Sequence, residues 1–285
     1  MMLYPHSCGA GLRALASSAL ALCLCCLPSA CAAQEPQPLR PGSGWLVPGG
    51  SRPLGVPVRV LLAGDSLMEG LGPQMRDALS GYSNLTFYPI GKKSTGLSRP
   101  DFYDWPAVLR ARMSEVRPHV VVMWVGTNDP QGIYGRPDAG EPLSRSWQLV
   151  YLEKLREIFA IVRQHGARLI LMGPPVVGKP KLNGELGSIN RLMEWACKRH
   201  DVCYVNTRVI LGDKQERFYM QGYLPNGQKA VLRTPDQVHI TAEGNKRVMA
   251  YLLPYVAAEI QRCFPSSRTP RRVAPRGGTT ISGRR

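Results

Sequence analysis

Short apolar runs alternate with longer stretches of helical periodicity along most of this chain. Five runs have the length and the β-branched composition of strands buried on both faces of a sheet. They are Val58–Ala63, Leu85–Ile90, Val120–Val125, Arg168–Met172 and Cys203–Asn206. Helical spacing is found at Gly72–Leu79, Trp105–Val116, Leu143–His165, Leu186–His200 and Thr241–Ile260. This alternation predicts an α/β domain with a parallel sheet, helices on both faces and right-handed crossovers.

Differences in composition divide the rest of the chain into a leader, a linker, an insertion and a tail. An N-terminal apolar leader precedes a stretch that is rich in Pro and Gly and has no periodicity. Asn226-Gly227, between two apolar runs, is a strong hairpin signal. The C-terminal segment combines Arg with Pro, Gly, Ser and Thr, and cannot bury enough apolar surface to order itself. The predicted organisation is a signal peptide at 1–33, a linker at 34–57, the α/β domain at 58–263 with a hairpin insertion near 208–235, and a basic disordered tail at 264–285.

The leader has the features of an export signal. Arg13 is its single charge, the apolar stretch Ala14–Leu27 is short for a membrane span, and Ala30-Cys31-Ala32 has the small-x-small form of a cleavage site. Lipidation at Cys31 is the alternative, although Pro28 stands where such sites have an aliphatic residue. An uncleaved membrane anchor is the other alternative. We expect an exported protein, periplasmic or extracellular, with anchoring through Cys31 kept open.

Net charge is +16, which raises the question of nucleic-acid binding. Part of the excess lies in the tail, which has six Arg and no acid, and no dense basic helix or interleaving of basic and aromatic residues occurs elsewhere. Specific nucleic-acid binding is therefore not expected. A basic body and tail favour peripheral contact with an anionic envelope surface, such as a membrane or an acidic polysaccharide.

Cysteine usage gives a second indication about the compartment. Five of the eight cysteines lie in the leader, which leaves Cys197, Cys203 and Cys263 in the body. An exported protein meets oxidising conditions, so a Cys197–Cys203 disulfide and a pair of buried thiols are equally weighted alternatives. No His cluster accompanies these cysteines, so no metal site is predicted.

Three short motifs fall where the predicted sheet would place an active site. Gly64-Asp65-Ser66-Leu67 follows the first strand, Gly126-Thr127-Asn128-Asp129 follows the third, and Asp236-Gln237-Val238-His239 precedes the last helix. Each alone has an ordinary structural interpretation as a helix cap, an Asx turn or a packed histidine. Together they supply a hydroxyl nucleophile, an oxyanion donor and a histidine with a carboxylate three residues before it. These are the groups that acyl transfer through serine requires.

These motifs, in the order Ser, Asn, His, resemble those of the SGNH (GDSL-type) hydrolase family over roughly Val58 to Ile260. The resemblance implies a three-layer α/β/α sandwich with a five-stranded parallel sheet, of flavodoxin-like type. It implies that Ser66 is the nucleophile and that Asp236 and His239 complete the triad. It also implies that the Asn128 side chain and the Ser66 amide donate to the oxyanion, and that no metal or organic cofactor is needed.

The family's second motif, a glycine after the second strand, is harder to place. Gly91-Lys92-Lys93-Ser94-Thr95-Gly96-Leu97 contains two glycines. We favour the amide of Gly91 for the oxyanion hole because it is closer to the strand end, with Gly96 as the alternative. The segment from Ser94 through Arg99–Pro106 resembles an exported bacterial subgroup of SGNH proteins whose substrate is unassigned.

The sequence therefore predicts an exported serine esterase that acts on acyl esters, first on O-acetyl groups of cell-envelope glycans and next on short-chain or lipid esters. An O-acyltransferase with the same site differs only in the group that accepts the acyl unit. A non-catalytic envelope-binding or assembly factor is the alternative from another class. The expected partner is a small-molecule or glycan ester.

Overall fold

Residues 57–82, 84–213 and 215–264 are described by a computed structural model. The predicted signal peptide and almost all of the predicted linker and tail lie outside the described residues, so those assignments stay predictions. None of the described helices combines the length and the apolar character that a membrane span requires.

A parallel sheet of five strands forms the centre of the domain. Its strands are β1 (Val58–Gly64), β2 (Leu85–Gly91), β3 (Val120–Trp124), β4 (Arg168–Met172) and β5 (Cys203–Val205). They are ordered β2-β1-β3-β4-β5. The chain leaves β1 for β2 on one side and then returns past β1 to β3. In such sheets the crevice at the carboxyl ends, where the order reverses, is the usual ligand site.

Helices cover both faces of this sheet. They are α1 (Ser66–Ala78), α2 (Trp105–Val116), α3 (Arg145–Gln164), α4 (Pro180–His200), α5 (Thr207–Leu211) and α6 (Ala242–Cys263). Alternate strand residues point to opposite faces. Leu61 and Val121 pack with α2, α3 and α4, whereas Leu62 and Val122 pack with α1, α5 and α6. The predicted α/β/α sandwich with a five-stranded parallel sheet is thus confirmed.

Two helices begin six residues earlier than their apolar spacing predicted. The first begins at Ser66 because the Asp65 side chain accepts a hydrogen bond from the Leu67 amide and caps it. Gly70 and Pro73 in its first turns hide the helical pattern. The fourth begins at Pro180, which stands at its first position, where proline is well tolerated.

A hairpin forms at the predicted Asn-Gly turn. Its strands are β6 (Gln221–Tyr223) and β7 (Lys229–Val231), and Gly227 adopts a positive φ of 83°. The hairpin packs against the start of α6, where Arg247 Nη1 donates to the Tyr223 carbonyl. It therefore lies beside the segment that carries Asp236 and His239.

The cysteines of the body form no disulfide among the described residues. Cys197, Cys203 and Cys263 are thiols, so of the two alternatives for Cys197 and Cys203 the structure has the unbridged one. Cys197 is fully buried near the end of α4, and burial raises the pKa of its thiol. It is therefore a neutral core side chain.

Candidate active site

Ser66 stands at a tight turn between β1 and α1. Gly64 has a φ of +156°, and a Cβ atom at this position would lie 2.1 Å from the Trp124 carbonyl oxygen. Only glycine lets the chain pass so close to β3 and turn directly into the helix. The turn presents Ser66, half-buried, at the first position of α1, where the amides at the helix start can stabilise negative charge.

His239 lies beside this serine. Its Nε2 is 2.9 Å from Ser66 Oγ, and its Nδ1 is 2.5 Å from Asp236 Oδ2. With the carboxylate on Nδ1, the proton of the neutral ring resides on Nδ1, and Nε2 accepts from the hydroxyl. The three side chains thus form one line of hydrogen bonds from Asp236 to Ser66.

The second oxygen of Asp236 is held by its own loop. Asp236 Oδ1 accepts from the Thr234 hydroxyl at 2.6 Å and from the amides of Val238 and His239 at 2.9 and 3.0 Å. Burial raises the pKa of the carboxyl, but the hydrogen bonds from Thr234, from the His239 ring and from these amides outweigh it. The pKa of Asp236 therefore lies well below its usual range, and the group is ionised at neutral pH.

Asn128 follows β3, and its side chain is fixed by the loop that follows β2. Its Nδ2 donates to the Thr95 carbonyl at 2.9 Å, and the main-chain carbonyl of Asn128 accepts from the Gln131 side chain. A side-chain amide nitrogen carries two hydrogens, so one remains for a further acceptor. The residue is half-buried, which leaves it accessible to a ligand.

The two candidate glycines lie in different surroundings. Gly91 pairs in register with Gly64, and a Cβ atom on it would lie 2.3 Å from the amide nitrogen of Glu69, in the first turn of the helix that begins with Ser66. A Cβ atom on Gly96 would instead lie 2.2 Å from the buried Asp129 carboxylate. This placement favours Gly91 as the oxyanion donor, and the role itself stays a prediction.

A pair of buried carboxyl groups lies behind Ser66, and no sequence motif predicted it. Asp65 and Asp129 are both fully buried. Asp129 accepts from the Ser98 amide at 2.8 Å and from the Tyr151 hydroxyl at 2.7 Å, whereas Asp65 Oδ2 and the neighbouring Thr127 hydroxyl have no hydrogen-bond partner of normal geometry among the described residues. The only sequence signal was an Asp directly after a buried strand, which is equally typical of a turn.

Burial changes the protonation of this pair. It raises the pKa of Asp65 to about 7, and the charge of Asp129 raises it further, whereas the hydrogen bond from the Leu67 amide lowers it. Burial also raises the pKa of Asp129. Asp65 therefore retains its proton well above the pH at which an exposed carboxyl loses it.

This retained proton predicts a pH-dependent stability. Folded Asp65 binds a proton more tightly than unfolded Asp65, so the free energy of unfolding should fall as pH rises from 3.8 to about 7. Asp65→Asn keeps an oxygen that can accept from the Leu67 amide but has no proton to lose. In this variant the free energy of unfolding should fall less with pH, by up to about 4 kcal/mol less than in wild type. Urea unfolding across this pH range measures the effect.

Asp77→Asn, at an exposed carboxyl late in α1, serves as the control and should keep the wild-type pH dependence. A pH dependence in Asp65→Asn as steep as in wild type would show that Asp65 is ionised in the folded protein.

The assembled geometry suits one kind of chemistry. A hydroxyl is hydrogen-bonded to a neutral imidazole, the imidazole is oriented by a carboxylate, and amide donors lie nearby, as nucleophilic catalysis by serine requires. Within the described part of the chain, no group of three or more His, Cys, Asp or Glu side chains is placed to hold a metal ion.

Comparison with known proteins adds a family and a fold. The sequence matches the family described as Protein of unknown function (DUF459) over residues 59–255. No curated protein matches it. Many solved structures do, among them a GDSL-like lipase from Bacteroides thetaiotaomicron VPI-5482, with a TM-score of 0.51 and 17% identity over 71% of this chain and 88% of that one.

Two further structures are similar to the same extent. An alpha/beta hydrolase enzyme from the metagenome of Lake Arreo, Spain, has a TM-score of 0.51 and 16% identity over 71% of this chain and 96% of that one. A carbohydrate acetylesterase family member from Sinorhizobium meliloti has a TM-score of 0.51 and 16% identity over 71% of this chain and 99% of that one. The fold is that of the SGNH (GDSL-type) hydrolases, as the motifs implied, and the chain belongs to the DUF459 family.

Proposed function

We propose that this protein is an exported serine esterase that removes acyl groups, chiefly O-acetyl groups, from glycans of the cell envelope. The observation that carries the proposal is the continuous hydrogen bonding from Asp236 through His239 to Ser66, with distances of 2.5 and 2.9 Å. These separations are short enough for the histidine to take the hydroxyl proton as the nucleophile attacks.

The reaction proceeds in two halves. Ser66 Oγ attacks the ester carbonyl and its proton passes to His239 Nε2, while the ionised Asp236 stabilises the imidazolium. The amides of Ser66 and Gly91 and the side chain of Asn128 donate to the oxyanion. The alcohol leaves with the proton from His239, and a water molecule, activated by the same ring, then releases the acyl group as a carboxylic acid.

The choice of substrate rests on a structure with the same fold and on the charge of the surface. A structure with the same fold is called a carbohydrate acetylesterase family member, although its 16% identity relates the two proteins only by fold. Net charge is +16, and the exposed Lys92 and Lys93 directly follow Gly91 at the edge of the site. Unlike charges attract a polyanion to such a surface, which favours an acetylated anionic glycan over a neutral lipid ester. Export and peripheral envelope contact rest on the leader and the basic tail.

One experiment separates this proposal from its alternatives. The mature chain, residues 34–285, is incubated with p-nitrophenyl acetate and with an O-acetylated envelope glycan, in the presence and absence of an added sugar acceptor. Release of free acetate supports the esterase. Transfer of acetyl to the sugar identifies an acyltransferase. A folded protein that binds glycan and turns over neither ester identifies a binding factor.

Replacing the oxyanion donor should impair the chemical step. Asn128→Ala removes an amide that donates more strongly to the transition state than to the ground-state ester, so kcat should fall about 10²–10³-fold with little change in KM. Steady-state kinetics on p-nitrophenyl acetate measure both constants. Asn226→Ala, in the β6–β7 turn, is the control. An unchanged kcat with a raised KM in Asn128→Ala would make Asn128 a substrate-binding residue instead.

A further inference from the structure

The segment that carries Asp236 and His239 is a tight loop held at its base. Arg233 and Ile240 form an antiparallel bridge, and the Thr234 amide donates to the His239 carbonyl at 3.1 Å. Gln237, at the tip, has a positive φ of 64°. Main-chain hydrogen bonds close this loop, so its conformation depends on what holds its carbonyl groups.

Arg233 donates from inside the protein to three main-chain carbonyl groups, two of which belong to this loop. Its side chain has no solvent exposure. Nε donates to His239 O at 3.2 Å, Nη2 to Val238 O at 2.7 Å and Nη1 to Val176 O at 2.6 Å, and the guanidinium lies 5.2 Å above the Phe218 ring. Two of these bonds reach the loop that carries the histidine, and the third reaches the loop between β4 and α4.

No carboxylate lies within ion-pair distance of Arg233 among the described residues. A buried charge without such a partner is costly, so it is retained only where its hydrogen bonds are needed. Arg208 is a useful contrast. It is also buried, but it pairs with Glu216 at 2.6 Å and binds Asn183. The environment of Arg233 is different because its nitrogens donate only to main-chain carbonyls, and the Asp236 carboxylate acts on it beyond ion-pair distance.

We propose that Arg233 is a positioning residue that fixes the main chain of Val238 and His239 against the loop after β4, so that the imidazole stays within hydrogen-bond distance of Ser66. This role rests on the proposed function, because the position of the imidazole matters only if it acts as the base. A second bond between the same two loops, from the Gly178 amide to the Gln237 carbonyl at 2.9 Å, keeps them in contact.

The first test replaces the planar guanidinium and keeps the charge. The three carbonyls lie around a planar guanidinium, and a single lysine ammonium cannot reach all of them. Arg233→Lys should therefore loosen the loop. Displacing the base by about 1 Å can cost about 10²-fold in rate, so kcat should fall by that factor while KM stays unchanged. Arg208→Lys is the matched control and should keep both constants. A wild-type kcat in folded Arg233→Lys would overturn the proposal.

A second measurement does not depend on turnover. Crystal structures of the two variants would give the distance from His239 Nε2 to Ser66 Oγ. In Arg233→Lys it should lengthen beyond about 3.5 Å, the outer limit of a hydrogen bond, and in Arg208→Lys it should not. A distance that stays at the wild-type 2.9 Å in Arg233→Lys would overturn the proposal.

Two further outcomes are decisive. If wild type hydrolyses no ester, the proposed function fails, whereas the lengthened distance would still support the positioning role. If Arg233→Lys does not fold while Arg208→Lys does, Arg233 is a requirement of the whole fold rather than of the histidine loop, and the proposal is wrong.

Discussion

Ser66→Ala should abolish ester turnover, with a loss of kcat of about 10³-fold or more. The substitution removes the hydroxyl that we propose as the nucleophile, and His239 would then have no nucleophile to activate. Alanine is a good helix former at the start of α1, so the free energy of unfolding should change little. Initial rates on p-nitrophenyl acetate measure the loss, and urea unfolding measures stability.

Ser188→Ala, on the exposed side of α4, is the matched control because it also removes one hydroxyl from a helical serine. It should keep wild-type kinetics. Near-normal turnover by folded Ser66→Ala would mean that another group attacks the ester and that the proposed roles are wrong.

Asp236→Asn should lower kcat to a comparable extent, by about 10³–10⁴-fold. The asparagine oxygen can still accept from Thr234 and from the main chain, but its NH₂ group would face His239 Nδ1. The ring would then carry its proton on Nε2, where it donates to Ser66 and cannot accept the hydroxyl proton. Loss of the negative charge also disfavours the imidazolium, so the acid limb of the residual pH–rate profile should move to lower pH.

The wild-type profile is simple to interpret. Because hydrogen bonds hold the pKa of Asp236 well below its usual range, protonation of Asp236 does not contribute to the fall in activity on acidification. Asp213→Asn and Glu243→Gln are controls, since these carboxylates pair with Arg217 and Lys246 at 2.6 Å. If the acid limb does not move in Asp236→Asn, Asp236 is not the carboxylate partner of His239, and Asp213 or Glu243 becomes the candidate.

The strands could be predicted closely because they are buried on both faces. Such strands are continuous apolar runs bounded by polar residues, and Arg168–Met172 was predicted to the residue. The start of α1 could not be predicted this way, because the side-chain cap of Asp65 decides it, and a cap gives no periodic signal. The Cys197–Cys203 pair was undecidable for a similar reason, since sequence spacing does not give the direction of the side chains.

The candidate site was predictable where its residues lie in motifs at strand ends. Ser66 and Asn128 are of this kind, whereas the motif of His239 precedes the last helix, and the structure brings Ser66 and His239 into contact. Arg233 was not predictable because its partners are main-chain carbonyls, one of them 57 residues away, and a carbonyl carries no sequence signature. The charge state of Asp65 was hidden for a comparable reason, since it depends on how deeply the finished fold buries it.

The proposed nucleophile and its proposed base are contributed by opposite ends of the domain sequence. Ser66 and His239 are separated by 173 positions along the chain, and the histidine directly precedes the last helix. Because the chain is synthesised from the N-terminus, Ser66 is added long before His239. Contacts of such long range also form late when an intact chain folds. If the proposed roles are right, truncated or partly folded molecules have no activated Ser66. Esterase activity regained during refolding would then count only those molecules whose C-terminal helix has docked.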